Sequence, residues 1–138
     1  MKRILLLLIC TATLGLVSCK KETIVQETSN KTIIFDINPS QWKLSNDGLS
    51  YDVSFNDIPE LDDYGIKYEG TILSVSFPNY TIYKPLPYVF DVSSYHYSVY
   101  QGGITISIES SDLQATRPVQ PTQSMKFKLV IVASNNVS

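Results

Sequence analysis

The chain has 138 residues, enough for one domain of ordinary size and too few for two. Eleven basic and 13 acidic side chains give a formal net charge of −2, with 17% charged and 43% hydrophobic residues. That balance excludes a basic nucleic-acid binder and an acidic disordered chain, and it allows a packed core. Two cysteines exclude a disulfide-dense scaffold, and a single histidine excludes a His-rich metal site.

Met1-Lys2-Arg3 is a short positive start, and Ile4 to Val17 is an uncharged, mostly apolar, leucine-rich run. Fourteen residues are too few to cross a hydrocarbon core of about 30 Å as a helix, but they suit the apolar region of a secretory signal. Leu16-Val17-Ser18-Cys19 then resembles a bacterial lipobox: an aliphatic residue, a tolerant position, a small residue and a cysteine. In lipoproteins that carry this pattern the cysteine thiol receives a diacylglyceryl group and becomes the new N-terminus. The resemblance implies a signal peptide over 1–18, lipidation at Cys19 and a membrane partner reached through the lipid. Two or more acyl chains, at about 0.8 kcal/mol per buried CH₂, anchor a domain stably.

Cys10 would leave with the signal, so the processed chain would carry no free thiol and no disulfide. Removing Lys2 and Arg3 takes the 11 basic side chains to 9 against 13 acidic ones, a net charge of −4. Such a domain has no electrostatic reason to bind nucleic acid. Lys20 after the cysteine favours outer-membrane sorting. Lys20-Lys21-Glu22 is similar to short charged export signals of Bacteroidota lipoproteins, which points to the cell surface, with a periplasm-facing orientation as the alternative. Residues 19–31 read as a polar tether.

From Thr32 onward the pattern has period two. Ile33, Phe35 and Ile37; Tyr51, Val53 and Phe55; Leu73, Val75 and Phe77; Ile104, Ile106 and Ile108; and Met125, Phe127, Leu129 and Ile131 each alternate with residues of the opposite face. Further runs cover Tyr80–Tyr83 and Tyr95–Tyr100, and no window of eleven residues has a helical period. Ser45-Asn46-Asp47-Gly48 and Pro78-Asn79 read as turns, and Gly102-Gly103 as the two residues of a tight hairpin. The prolines fall between the runs. Seven to nine short strands in about 105 residues predict an all-β antiparallel sandwich of immunoglobulin-like type over 32–138, with a small barrel as the alternative. The polar connection Glu109–Ser124 is unusually long for so small a domain, and it is read as a crossing between sheets, a functional loop or the carrier of a short helix at 111–115.

The Trp42 segment, Ile58-Pro59-Glu60, Gly70-Thr71-Ile72, Pro85-Leu86-Pro87-Tyr88 and the strand Met125–Val132 occur in that order. So ordered, the chain resembles a family of small, uncharacterised Bacteroidota lipoproteins. The resemblance implies a β-sandwich-like lipoprotein and brings no catalytic residues with it.

Asp57, Glu60, Asp62 and Asp63 form the densest acidic cluster and the weak candidate for a Ca²⁺ site, although their spacing fits no EF-hand loop. The simpler reading is a solvated loop. His96 reads as a surface residue on the face opposite Tyr95 and Tyr97, and Trp42 as core. Tyr80, Tyr83, Tyr88, Tyr95, Tyr97 and Tyr100 crowd a short stretch. If their register faces solvent, Tyr80, Tyr83, Tyr95, Tyr97 and Tyr100 are candidates for a platform that stacks on sugar rings or anchors an extracellular protein. If it faces inward, they are core. No nucleophile elbow, phosphate-cradling glycine loop or favoured carboxylate pair is present, so no enzyme and no cofactor is expected.

Overall fold

The computed structural model describes residues 29–78, 81–112 and 116–134. The signal segment 1–18, Cys19, most of the tether and Tyr80 lie outside the described residues, as do residues 113–115 of the expected short helix.

Among the described residues nine strands form two antiparallel sheets. They are β1 Lys31–Ile37, β2 Lys43–Leu44, β3 Ser50–Phe55, β4 Gly70–Ser76, β5 Lys84–Pro85, β6 Tyr88–Phe90, β7 Ser93–Tyr100, β8 Gly103–Ser110 and β9 Met125–Val132. One sheet runs β1-β9-β4-β5 and the other β2-β3-β8-β7-β6. The sheets face one another across a single core, so the expected sandwich is the observed architecture. The first and last strands are neighbours: Lys31 pairs with Ile131 and Ile37 with Met125.

The alternation read from the chain is the pleat of these sheets. Phe35, Ile37, Leu73, Val75, Phe127, Leu129 and Ile131 face inward from one layer, and Tyr51, Val53, Ile104, Ile106 and Ile108 from the other. Each fully buried aliphatic or aromatic side chain contributes about 1.5–3 kcal/mol relative to exposure. Between the layers the Phe35 and Phe55 rings stack at 4.4 Å. Trp42 is core as expected, its ring 6.2 Å from that of Phe127. A single 3-10 turn, Pro39–Gln41, leads into it.

Three local readings change. The first concerns Tyr80–Tyr83, where the described residues 81–83 form no strand. Pairing begins at Lys84–Pro85, and Pro85 is tolerated there because β5 is an edge strand. The second concerns the glycine hairpin, whose turn is Gln101-Gly102 rather than Gly102-Gly103. Gly103 already pairs with Tyr100. Gly102 supplies the positive φ of 79°, whereas Gly103 is required for space.

The third is a six-residue helix, α1 (Asp63–Tyr68), too short to show a period in an eleven-residue window. Its local signals are a capping carboxylate, Asp62, which accepts from the Gly65 amide at 2.7 Å, and an Asp63–Lys67 pair one turn apart at 2.8 Å.

Candidate functional site

The described residues form a cleft of about 250 Å³ at one end of the sandwich. Three separate segments build it. Phe77 and Pro78 follow β4, Phe90, Asp91, Ser93 and Tyr95 come from the β6–β7 hairpin, and residues 119–123 precede Met125 at the start of β9.

The aromatic wall is a ring cluster centred on Phe77, which meets Tyr88 at 6.1 Å, Phe90 at 5.9 Å and Tyr95 edge-on at 5.5 Å. Tilted and edge-to-face ring pairs at these distances contribute about 0.5–1.5 kcal/mol each beyond simple burial, which holds the wall in place. Phe90 nevertheless remains 57% exposed, as does Val119 at 67% on the opposing loop. The polar groups lining the cleft are Asp91, Ser93, Gln120, Thr122 and Gln123.

The hairpin presenting Phe90 and Asp91 turns through two residues with positive φ, Asp91 at 46° and Val92 at 58°. Two such residues match the right-handed twist of the flanking strands, which is why tight hairpins use them. Asp tolerates this conformation, whereas a β-branched valine does not. The Val92 carbonyl accepts from the Ser111 amide at 2.8 Å, holding the turn against the start of the long connection. Val92→Gly should therefore raise stability by about 1 kcal/mol, since the αL conformation costs a non-glycine residue roughly 1–2 kcal/mol. Urea denaturation is the check, and a destabilised variant would contradict the strain.

The opposing wall is an irregular segment held by polar contacts along its length. The Arg117 guanidinium donates to the Tyr51 hydroxyl at 2.7 Å and lies 5.7 Å from that ring's centre. The Gln120 amide donates to the Pro39 carbonyl at 3.3 Å, and the Ser124 hydroxyl to Asn38 Oδ1 at 2.7 Å. Burial, followed by the negative ends of Tyr88 and Asp91, raises the Tyr95 hydroxyl above the usual tyrosine pKa. That hydroxyl stays protonated at neutral pH.

The tyrosines do not make one platform. Tyr95 and Tyr97 share the inward register of β7, opposite Ile108 and Ile106, and Tyr88 pairs with Tyr95 on the same face. The Tyr97 hydroxyl donates to the Thr71 carbonyl at 2.8 Å and so ties the two sheets together. Tyr100 lies on the outer face, its hydroxyl donating to Asn56 Oδ1 at 2.8 Å. Tyr83 precedes β5 and lies against the other sheet, its ring centre 4.2 Å from the Lys128 ammonium of β9. The residues of β7 alternate between the two faces, and the register of Tyr95 and Tyr97 faces the core. Of the candidate tyrosines among the described residues, Tyr95 alone lines the cleft.

The acidic residues are also dispersed. Ile58 and Leu61 are buried, and the Ile58 amide donates to the Gly102 carbonyl at 2.9 Å while the Gly102 amide donates to the Leu61 carbonyl at 2.7 Å. This pins the loop to the β7–β8 turn and leaves its carboxylates outside. Asp62 is spent on the helix cap and Asp63 on Lys67, and Asp57 holds a φ of 62°. Among the described residues no three His, Cys, Asp or Glu side chains are grouped to hold a metal ion. His96, on the outer face as read, places Nε2 3.3 Å from Glu109 Oε1 across the strands, off line for a hydrogen bond.

The cleft's Phe77, Phe90, Val119, Gln120, Thr122 and Gln123 were not singled out from the sequence. The length of the 109–124 connection was a signal for Val119, Gln120, Thr122 and Gln123, and Phe77 was legible only as a strand residue. No helix among the described residues is long and apolar enough to cross a membrane. No family model, curated protein or solved structure matches the chain.

Proposed function

We propose that this chain is a lipid-anchored β-sandwich of the outer membrane, facing the cell exterior, which acts without catalysis as a recognition module. The cleft between Phe90 and Val119 carries the recognition reading. It is the place where pre-formed aromatic surface remains open beside hydrogen-bonding side chains. The lipobox-like Leu16–Cys19 supports the anchor, and Lys20-Lys21-Glu22 supports the outward orientation. The ordered short motifs support kinship with small Bacteroidota lipoproteins. The domain's size and two-layer architecture are in keeping with an immunoglobulin-like sandwich. The partners of such a module are an extracellular protein or a glycan, and its acidity disfavours nucleic acid.

The anchor is tested by Cys19→Ser. The variant should accumulate as an unlipidated precursor of full length that no longer takes up labelled fatty acid. Normal processing and labelling would sink the assignment.

A second reading, a carbohydrate-binding accessory module, is favoured by the mixture within the cleft: the rings of Phe77, Phe90 and Tyr95 beside Asp91, Gln120, Thr122 and Gln123. The volume suits a single sugar ring rather than an extended chain. Glycan-array binding by the full chain should weaken about tenfold in Phe90→Ala, the equivalent of roughly 1.4 kcal/mol, and stay unchanged in Tyr83→Ala. Absence of glycan binding, or its loss in Tyr83→Ala, rejects this reading and leaves a protein ligand as the one to seek.

A further inference from the structure

A sheet edge exposes a row of backbone N–H and C=O groups that can pair with another strand, and natural sandwiches blunt such edges. Three of the four edges here are blunted by length: β2 and β5 have two residues each and β6 has three. The fourth edge, β1, has seven consecutive residues in regular pairing with β9 on one side. Among the described residues nothing pairs with its other side.

We propose that β1 pairs with β1 of a second copy of this chain, antiparallel about Ile34, joining the two four-stranded sheets edge to edge. The register that uses all seven residues sets Ile34 opposite its own copy, Ile33 opposite Phe35, Thr32 opposite Asp36 and Lys31 opposite Ile37. No like charges meet, which is the condition for stable cross-strand pairs. The strand forms about six to eight backbone hydrogen bonds in this arrangement, whichever set of amides points outward.

The outer face agrees. Ile34 is 46% exposed at the centre of the strand. Asp36, which would otherwise leave a charge at the joint, is already paired with Lys126 of β9. An isologous, twofold contact of this kind closes on itself and does not propagate into fibres.

Sedimentation equilibrium of the full chain in density-matched detergent tests the proposal. A dimer is expected at concentrations up to about 100 µM, with Ile34→Lys raising its dissociation constant about tenfold or more by setting two ammonium groups face to face. Ile72→Lys, on the same outer face but two strands away and 50% exposed, should leave the dimer intact. A chain monomeric throughout the range, or a dimer indifferent to Ile34→Lys, overturns the edge pairing. Equal dissociation by Ile72→Lys also overturns it, because the contact would then be face to face. Amide exchange supplies a second measurement on the unmutated chain. Alternate amides of β1 should gain protection as concentration rises, and unchanged exchange counts against the contact.

Discussion

Phe127→Ala should cost about 3–5 kcal/mol, the range for deleting a fully buried phenylalanine from a core. Phe127 sits on the central strand β9, paired with Phe35 on one side and Val75 on the other, and its ring faces Trp42. All of these neighbours are buried in strands or against them, so the site cannot collapse around the lost ring. A domain of about 105 residues has a total stability on the order of 5–15 kcal/mol. The variant therefore loses a large part of it, and its melting temperature should fall by roughly 15–25 °C. Thermal melts followed by circular dichroism are the check. Ile72→Ala is the comparison, a smaller loss at a half-exposed position of the same sheet. Equal losses at the two positions would mean that the core is not where the burial pattern puts it.

Gly103→Ala is the second large effect, about 2–4 kcal/mol, in the range of overpacking with a backbone shift. A methyl group at this position would lie 2.6 Å from Tyr100 Cζ and 2.7 Å from the Phe55 carbonyl oxygen. The two obstacles differ in kind. The Tyr100 ring is on the surface and can swing away at the expense of its bond to Asn56. The Phe55 carbonyl belongs to β3, which is locked to β8 through the Phe55–Ile104 pair, and it cannot yield without opening the sheet. A double-mutant cycle separates them. Gly103→Ala should cost less in a Tyr100→Ala background yet still be destabilising. Complete rescue by Tyr100→Ala would show that the ring alone excludes the methyl. No rescue would assign the whole effect to the backbone.

The glycine pair also shows how far the chain could be read. Two adjacent glycines announced a tight turn, and a tight turn is there. A two-glycine turn would use both residues for the backbone conformation. Only Gly102 does, while Gly103 answers to a ring and a carbonyl from elsewhere in the fold. The tyrosines carry the same lesson. Period two correctly set Tyr95 and Tyr97 on one face and His96 on the other. Which face was buried depended on the opposing sheet, and Tyr97 turned out to reach the Thr71 carbonyl of that sheet. Asp62 and Asp63 were legible as a charge cluster, but their work as helix cap and ion pair became visible only with α1 in place.

Alternation of side chains is a local property, since successive residues of a strand point to opposite faces whatever the strand pairs with. For that reason the sequence alone determined the longer strands β1, β3, β4, β7, β8 and β9, their core residues Phe35, Val53, Ile106 and Phe127, and the all-β class. Pairing between distant segments is not local. Only the tertiary structure decided that β1 lies beside β9 with its other side unpaired among the described residues, and that residues 77, 90–95 and 119–123 meet around one cleft. Those segments are separated in the chain by whole strands. They converge because the two sheets must bury their inner faces against each other, and the connections that remain gather at the ends of the sandwich.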